Sequence, residues 1–419
     1  EVQGGTMESH YADVPAPLRG FVELTFDMNH HAGFRLLEGL LYRSPYYSTA
    51  GQALSISLQG ERPRPFILAT PRLDGPDRLI APLPFASPGI DVVGQAFHRP
   101  VALAALRTAL GVPAADTALL RSFLTETPPV PTAPFTGPGM RVRFFGHACL
   151  LIETADVSIL IDPMVPTGAS EGAVHRFRFQ DLPAHIDYVL ITHAHADHCN
   201  LETLLPLRHR IGQVIVPKAQ TGGLFDPSLK LMLTTLGFGS VRDLDEMEAV
   251  PVAGGQITAL PFLGEHADLP ISCKVGYGVQ LLGKTVVVLA DSRNLDVRLY
   301  EHLRAAIGEV DALFLGMGDG APGTWLYRPL LLRGIARRDD QVRRLTSMDD
   351  DRAAGVVTAL QPRQVYVYAM GLEPWLVHVT GIEYEPGSPI MVEMDRFLDR
   401  CRADGRQAEC LRGRRDLHI

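Results

Sequence analysis

Cysteine is scarce and scattered in this chain of 419 residues: Cys149, Cys199, Cys273, Cys401 and Cys410 include no CxxC pair. That argues against a disulfide-stapled secreted scaffold and fits reduced thiols in a cytoplasmic protein. Apolar runs of 18 residues are missing, and so is a secretory leader, so no membrane partner is expected. Basic clusters are absent as well, and a formal net charge of −8 argues against a nucleic-acid partner. There is no internal repeat. What the chain does have is apolar material, 46% of its residues, enough for two domains or for one large domain with an appendage.

Punctuation is clearest at Pro128, Pro129, Pro131 and Pro134, which make residues 125–139 an extended, semi-rigid connector. Before it, residues 7–124 carry a mixed pattern. Phe21 to Phe26 alternates like a strand, while Arg99 to Leu110 and Ala114 to Leu124 have helical periodicity. This reads as a smaller α/β accessory unit, a candidate for homodimer formation. Its His30-His31 pair projects two ways and has no neighbouring ligands, so a surface role is preferred.

After the connector, short apolar runs alternate with turns. Strands are expected at Arg141–Phe145, Cys149–Glu153, Val157–Ile161, Gln213–Val216, Gln256–Phe262, Gly276–Leu282, Thr285–Leu289, Ala312–Leu315 and Gln364–Tyr368. Helices such as Leu201–Arg208 and Val297–Ala306 separate several of them. Two sheets covered by helices, with loops gathered along one edge, is the economical α/β architecture for residues 140–395. The mixed, charged stretch 319–362 predicts a helical insertion over the site, and 396–419 a helical tail.

The chemistry is concentrated in His193-Ala194-His195-Ala196-Asp197-His198, which follows the apolar run Tyr188-Val189-Leu190-Ile191-Thr192. Residues two apart on extended chain share a face, so His193 and His195 can grip one metal ion. Asp197 and His198 fall where the chain turns towards a helix and point at a second ion. Four potential ligands in six residues crowd unfavourably unless a cation offsets them.

HxHxDH, the Gly146-His147 turn, Asp162-Pro163 and the order of strands together resemble the metallo-β-lactamase fold. The resemblance implies an αβ/βα sandwich with one or two metals at its edge, an Asp bridging them, and further His ligands from later strand ends. Asp291, delivered by Thr285 to Ala290, matches the bridge; an Asp capping the turn at Ser292 is the bland alternative. For the last His, elimination among His302, His378 and His418 favours His378. Asp162 is expected to orient His193 or His198, and His147 to contact substrate or bound oxygen or to support a carboxylate.

Gly264-Glu265-His266-Ala267-Asp268 decides the chemistry. Adjacent side chains on extended backbone point oppositely, so one of Glu265 and His266 is expected to ligate. His266 would complete three imidazoles, the set of a dinuclear zinc hydrolase acting on an ester, lactone, thioester or phosphodiester. Glu265 would bring the carboxylates to three, a hard set that favours iron. This stretch, with Leu289-Ala290-Asp291-Ser292 and Tyr366 to Gly371, is similar to the diiron β-hydroxylases of the chloramphenicol-pathway type. That likeness implies His193, His195 and Glu265 on one iron, Asp197, His198 and His378 on the other, and Asp291 between. It also implies O2 as co-substrate, an external electron donor, and a small-molecule or carrier-protein-bound amino acid as substrate. Trp325, Tyr327 and Trp375 are candidates for an apolar substrate wall, with core packing as the alternative.

Overall fold

The computed structural model describes residues 5–58, 66, 75–130, 132–166, 175–220, 222–318, 320, 323, 327, 334–381 and 383–419. Two seven-stranded sheets dominate it. The first runs, edge to edge, Val241–Leu244, Ile211–Pro217, Ile186–Leu190, Ser158–Ile161, Cys149–Glu153, Arg141–Gly146 and Arg415–His418. The second runs Ala249–Val252, Gly255–Leu260, Gly276–Leu281, Lys284–Val288, Ala312–Gly316, Gln364–Tyr368 and Gln407–Cys410. Each mixes hairpin-linked antiparallel strands with parallel strands joined through helices.

The sequence explains the layers. Strands covered on both faces read as continuous apolar runs rather than alternating ones. Val142, Phe144, Leu150, Ile152, Ile159 and Ile161 face Ile257, Val279, Val286, Val288 and Phe314 between the sheets. Their neighbours Leu151, Leu160, Val189 and Val214 turn outwards, with Leu204, Leu207 and Leu233 of the helices Leu201–Leu207 and Leu229–Thr235. On the other side Val287, Leu313, Val365 and Val367 pack with Leu303, Val356 and Phe397 of the helices Arg298–Ile307, Asp350–Leu360 and Pro389–Ala403. This is the expected αβ/βα sandwich. Among the described residues no helix is long and apolar enough to cross a membrane.

Residues 396–419 are not the helical tail expected from the sequence. The helix Pro389–Ala403 ends there, and the chain then adds Gln407–Cys410 to one sheet and Arg415–His418 to the other. Both are edge strands, where polar residues face solvent, so their sequences lack an apolar signature. Within 319–362 the described elements include the helices Arg337–Val342 and Asp350–Leu360, while Trp325 lies outside the described residues.

The first 124 residues carry two small hairpins, Val22–Phe26 with Ala32–Leu36 and Ala53–Ile56 with Leu79–Pro82, followed by short helices. The predicted helix from Arg99 begins only at Leu103, since Pro100 disfavours helix in the residue before it. The helix Pro88–Ala96, capped by Ser87, lies so close to the helix Leu201–Leu207 that a Cβ on Gly94 would sit 1.9 Å from the Pro206 carbonyl oxygen. Arg208 crosses this contact. It donates to the carbonyls of Phe85, Ser87 and Leu236 at 2.6–2.9 Å and pairs with Asp91 at 2.9 Å.

In the same contact the rings of His98 and His209 stack with centroids 5.2 Å apart, close to Arg99 and Arg210. Burial, then the neighbouring His98 and Arg210, hold the His209 pKa down at about 4 against an ordinary 6.5. The unfolded chain therefore binds the extra proton first. Stability from this group is complete above pH 6.5 and is lost as pH falls towards 4. Half-exposure moderates the effect, so wild type is expected to lose about 1 kcal/mol more than His209→Gln between pH 7.5 and 5. Urea midpoints of both proteins at the two pH values check this; equal losses would refute it.

Candidate metal centre

The strand Ile186–Leu190 lies parallel between Ser158–Ile161 and Ile211–Pro217 and carries the chain to the edge of the sandwich. Thr192 extends it, its carbonyl accepting from Val275 N at 2.8 Å, and His193 follows, fully buried. The backbone then folds sharply, with the amides of His198 and Cys199 both donating to the His195 carbonyl. Asn200 caps the next helix by accepting from Thr203 N at 2.9 Å. So His193 and His195 leave the strand end together, and Asp197 and His198 leave the turn. Cys199 is buried beneath the helix start among apolar side chains.

Second-sheet strands bring the remaining donors. Gly255–Leu260 leads to Glu265 and His266, and Lys284–Val288 leads to Asp291. Within the sandwich edge, His193, His195, Glu265 and His266 form one group with ligand atoms close enough to share an ion. His147, Asp197 and His198 form another, and His193, His198 and Asp291 link the two. His195 Nδ1 lies 3.1 Å from His193 Nε2 and 3.2 Å from Glu265 Oε1. His198 Nε2 lies 3.4 Å from Asp291 Oδ2 and 3.9 Å from Asp197 Oδ2, and His147 Nε2 lies 3.1 Å from the same Asp197 oxygen.

Glu265 and His266 both reach the first group, contrary to the expectation that one would point away. The expectation assumed extended chain. Gly264, Glu265, Ala267 and Asp268 instead take φ of 73°, 66°, 53° and 57°, in the left-handed region. This curl turns adjacent side chains to one side, leaving His266 Nδ1 2.9 Å from Glu265 Oε2. Lys274 Nζ holds the curl by donating to the Gly264 carbonyl at 3.1 Å, and Arg343 by donating to that of Ala267 at 2.7 Å. Asp268 is largely exposed and lies 4.0 Å from Arg343.

Support for the donors comes from the other side. Asp162, buried and at φ 42°, accepts from Thr192 N, Thr192 Oγ1 and His198 Nδ1 at 2.7, 2.6 and 2.7 Å. Thr192 Oγ1 in turn lies 3.0 Å from His193 Nδ1, so one carboxylate orients both rings. His147, at φ 49° after Gly146, is pinned through its backbone: its amide donates to Glu373 Oε1 at 2.8 Å and its carbonyl accepts from Ala369 N at 2.9 Å. A Cβ on Gly146 would sit 2.9 Å from Trp375 Cζ2, so Trp375 walls this turn. Tyr327 places its hydroxyl 2.9 Å from His195 Nε2. His378 is buried, with Nδ1 3.0 Å from the Trp375 carbonyl oxygen, and belongs to none of the three groups. Sequence reasoning singled out neither Glu373 nor Arg343. Thr192 it passed over, though its place directly before the motif was a usable signal.

The donors are arranged for cations. His198 Nε2, Asp291 Oδ1 and His147 Nδ1 are buried without a hydrogen-bond partner. Such groups each cost about 1–3 kcal/mol if left bare. Burial, then the neighbouring His198 and His195, holds His193 well below the usual imidazole range, with its lone pair free. Burial alone would raise the carboxyls of Asp197 and Glu265. The imidazoles of His198 and His147 beside the first, and of His195 and His266 beside the second, overcome it and keep both ionised. Burial also pushes the Tyr327 phenol up, so it stays neutral.

The chain resembles known metalloproteins of this fold. Residues 1–128 match the family described as diiron non-heme beta-hydroxylase N-terminal domain, and residues 141–367 match the beta-lactamase superfamily domain. The chain is 37% identical to the 4-amino-L-phenylalanyl-(CmlP-peptidyl-carrier-protein) 3-hydroxylase of Streptomyces venezuelae, covering 99% of this chain and 80% of that one. The crystal structure of a diiron beta-hydroxylase from the same organism superposes with a TM-score of 0.90 at 36% identity, over 100% of this chain and 79% of the other. A metal-dependent hydrolase of Flavobacterium johnsoniae shares 38% identity over only 16% of this chain and 27% of its own. These findings displace the zinc-hydrolase alternative. The chain belongs to the diiron non-heme beta-hydroxylase family and is a diiron monooxygenase built on the metallo-β-lactamase fold.

Proposed function

We propose that this enzyme hydroxylates the β-carbon of an amino acid held as a thioester on a carrier protein, in natural-product biosynthesis. One observation carries the reading: Glu265 places a carboxylate beside His193 and His195, where hydrolases of this fold place a third imidazole. Likeness over 99% of this chain and 80% of a hydroxylase of a carrier-bound amino acid supports the substrate class.

His193, His195 and Glu265 would hold one iron, and Asp197, His198 and His378 the other. Asp291 would join them, one oxygen facing His198 and the other without a partner. When bound, the two irons supply reductive activation of O2, fed by two electrons from an external donor. The chain's own residues do the rest. Asp162 and Thr192 hold the imidazoles of His193 and His198 in one tautomer. The Trp375 ring walls the His147 turn and keeps water from it. Trp375 and Tyr327 are assigned to the substrate side, and His147 to the reacting face. Residues 7–124 form the accessory, dimer-forming unit, 125–139 the connector and 140–419 the catalytic domain, whose two sheets the last strands complete. A cytoplasmic location fits the reduced, scattered cysteines.

The test supplies iron during expression, avoids affinity metals, and measures metal content and the visible spectrum. It is followed by single turnover under isotope-labelled O2. About two irons per chain and transfer of one labelled oxygen to a carrier-bound aminoacyl thioester are expected. Two zincs persisting under iron-rich growth, with no labelled product from carrier-bound or free amino acids, would overturn the reading.

A further inference from the structure

We propose that Tyr327 is a positioning residue for the first metal subsite: its phenol oxygen accepts the Nε2 hydrogen of His195 and so commits Nδ1 of that ring to the metal. The inference rests on the reading above that His193, His195 and Glu265 share an ion. It adds a residue that touches neither ion nor reacting atoms.

Three observations converge. First, His195 Nδ1 faces the other donors, 3.1 Å from His193 Nε2 and 3.2 Å from Glu265 Oε1. A neutral imidazole offering its lone pair at Nδ1 must carry its hydrogen on Nε2, and a buried N–H needs an acceptor. Tyr327 Oη lies 2.9 Å from that nitrogen, and the Tyr327 side chain is buried. Second, the ring of Tyr327 lines a small pocket with Ala267, Leu269, Ile335 and Arg343, so packing fixes where the hydroxyl sits. Third, the same stretch of chain holds the other ligand. Gly323 N donates to the Arg343 carbonyl at 2.9 Å, and the Arg343 guanidinium donates to the Ala267 carbonyl at 2.7 and 2.9 Å. A Cβ on Gly323 would lie 2.1 Å from that of Ala267.

The insertion therefore grips the first subsite twice, at His195 through Tyr327 and at the Glu265 curl through Arg343. The curl requires such a grip, because non-glycine residues at positive φ cost about 1–3 kcal/mol each unless their surroundings impose the conformation. Pocket wall and ligand geometry are then one mechanical unit. An occupant that shifts the Tyr327 ring changes the hydrogen bond on His195.

The test compares wild type, Tyr327→Phe and Tyr327→Leu as metal-free, full-length chains titrated with cobalt(II). Cobalt makes the outcome independent of whether the native metal is iron or zinc, so failure of the diiron reading leaves this test intact. Tyr327→Phe keeps the ring and loses the acceptor. One of the two cobalt sites is expected to weaken about 10- to 100-fold with an altered visible band, while the other site and the metal-free melting temperature stay unchanged. Both dissociation constants within twofold of wild type would overturn the proposal. Should the variants fail to fold, imidazole N–H resonances of the zinc-loaded wild type decide it. A slowly exchanging hydrogen on Nε2 of His195 is expected, and a hydrogen on Nδ1 refutes the assignment.

Discussion

Glu265→His is expected to reduce oxygenase turnover about a thousandfold, or about 4 kcal/mol in activation free energy, in a chain that still folds and still binds metal. The backbone at residue 265 sits at φ 66°, a conformation that histidine tolerates better than most side chains, so the curl survives the change. What changes is charge. The Glu265 carboxylate lies 3.2 Å from His195 Nδ1 and 2.9 Å from His266 Nδ1, deep in the first donor group. An imidazole in its place lowers the carboxylate count from three to two and favours softer, non-redox occupancy. Circular dichroism, metal analysis and single-turnover product yield on the iron-loaded variant check the result. Full turnover by the variant would remove the argument that the carboxylate selects for oxygen chemistry.

The second large effect belongs to a residue outside the donor groups. Asp162→Ala is expected to cost about 3–5 kcal/mol of stability in the metal-free protein, because breaking a buried charged network leaves its partners uncompensated. Those partners are Thr192 N, Thr192 Oγ1 and His198 Nδ1, all within 2.7 Å of a carboxylate that has no solvent exposure. Alanine is also less at ease than aspartate at a φ of 42°, because it lacks the short polar side chain whose local hydrogen bonds offset the strain. The freed His198 ring then loses its tautomer, and one metal per chain is expected to be lost. Urea unfolding and metal analysis measure both effects. Asp162→Asn, which tolerates the same backbone angle and keeps one acceptor, is expected to recover part of each. An alanine variant within 1 kcal/mol of wild type and with full metal content would show that Asp162 does not hold the site together.

Legibility followed how local each determinant is. Central strands such as Cys149–Glu153 and Lys284–Val288 announce themselves because both faces are covered and no residue needs to be polar. The edge strands Val241–Leu244, Ala249–Val252, Gln407–Cys410 and Arg415–His418 escape detection, since each is only four residues long and has one side open. The same contrast governs the site. His193 and His195 share a face by period-two geometry, and Asp197 and His198 leave the turn that follows, so these four donors are legible within six residues.

Adjacency at Glu265 and His266 misled for a related reason. Their shared orientation depends on positive φ angles held by Lys274 and Arg343, neither adjacent in sequence. Tyr327 lies 132 residues from His195, and nothing in the intervening chain foretells their hydrogen bond. Apolar runs were thus enough for a two-sheet α/β architecture and one six-residue motif for a metal site, because local periodicity dictates which side chains share a face. The sandwich type, Asp291 and Glu265 were legible only through resemblance to known families. The curl at Glu265, the pinning of His147 by Glu373 and the partner of His195 were settled only when distant segments packed together. Side-chain hydrogen bonds and left-handed backbone angles are tertiary contacts, and no short-range pattern encodes them.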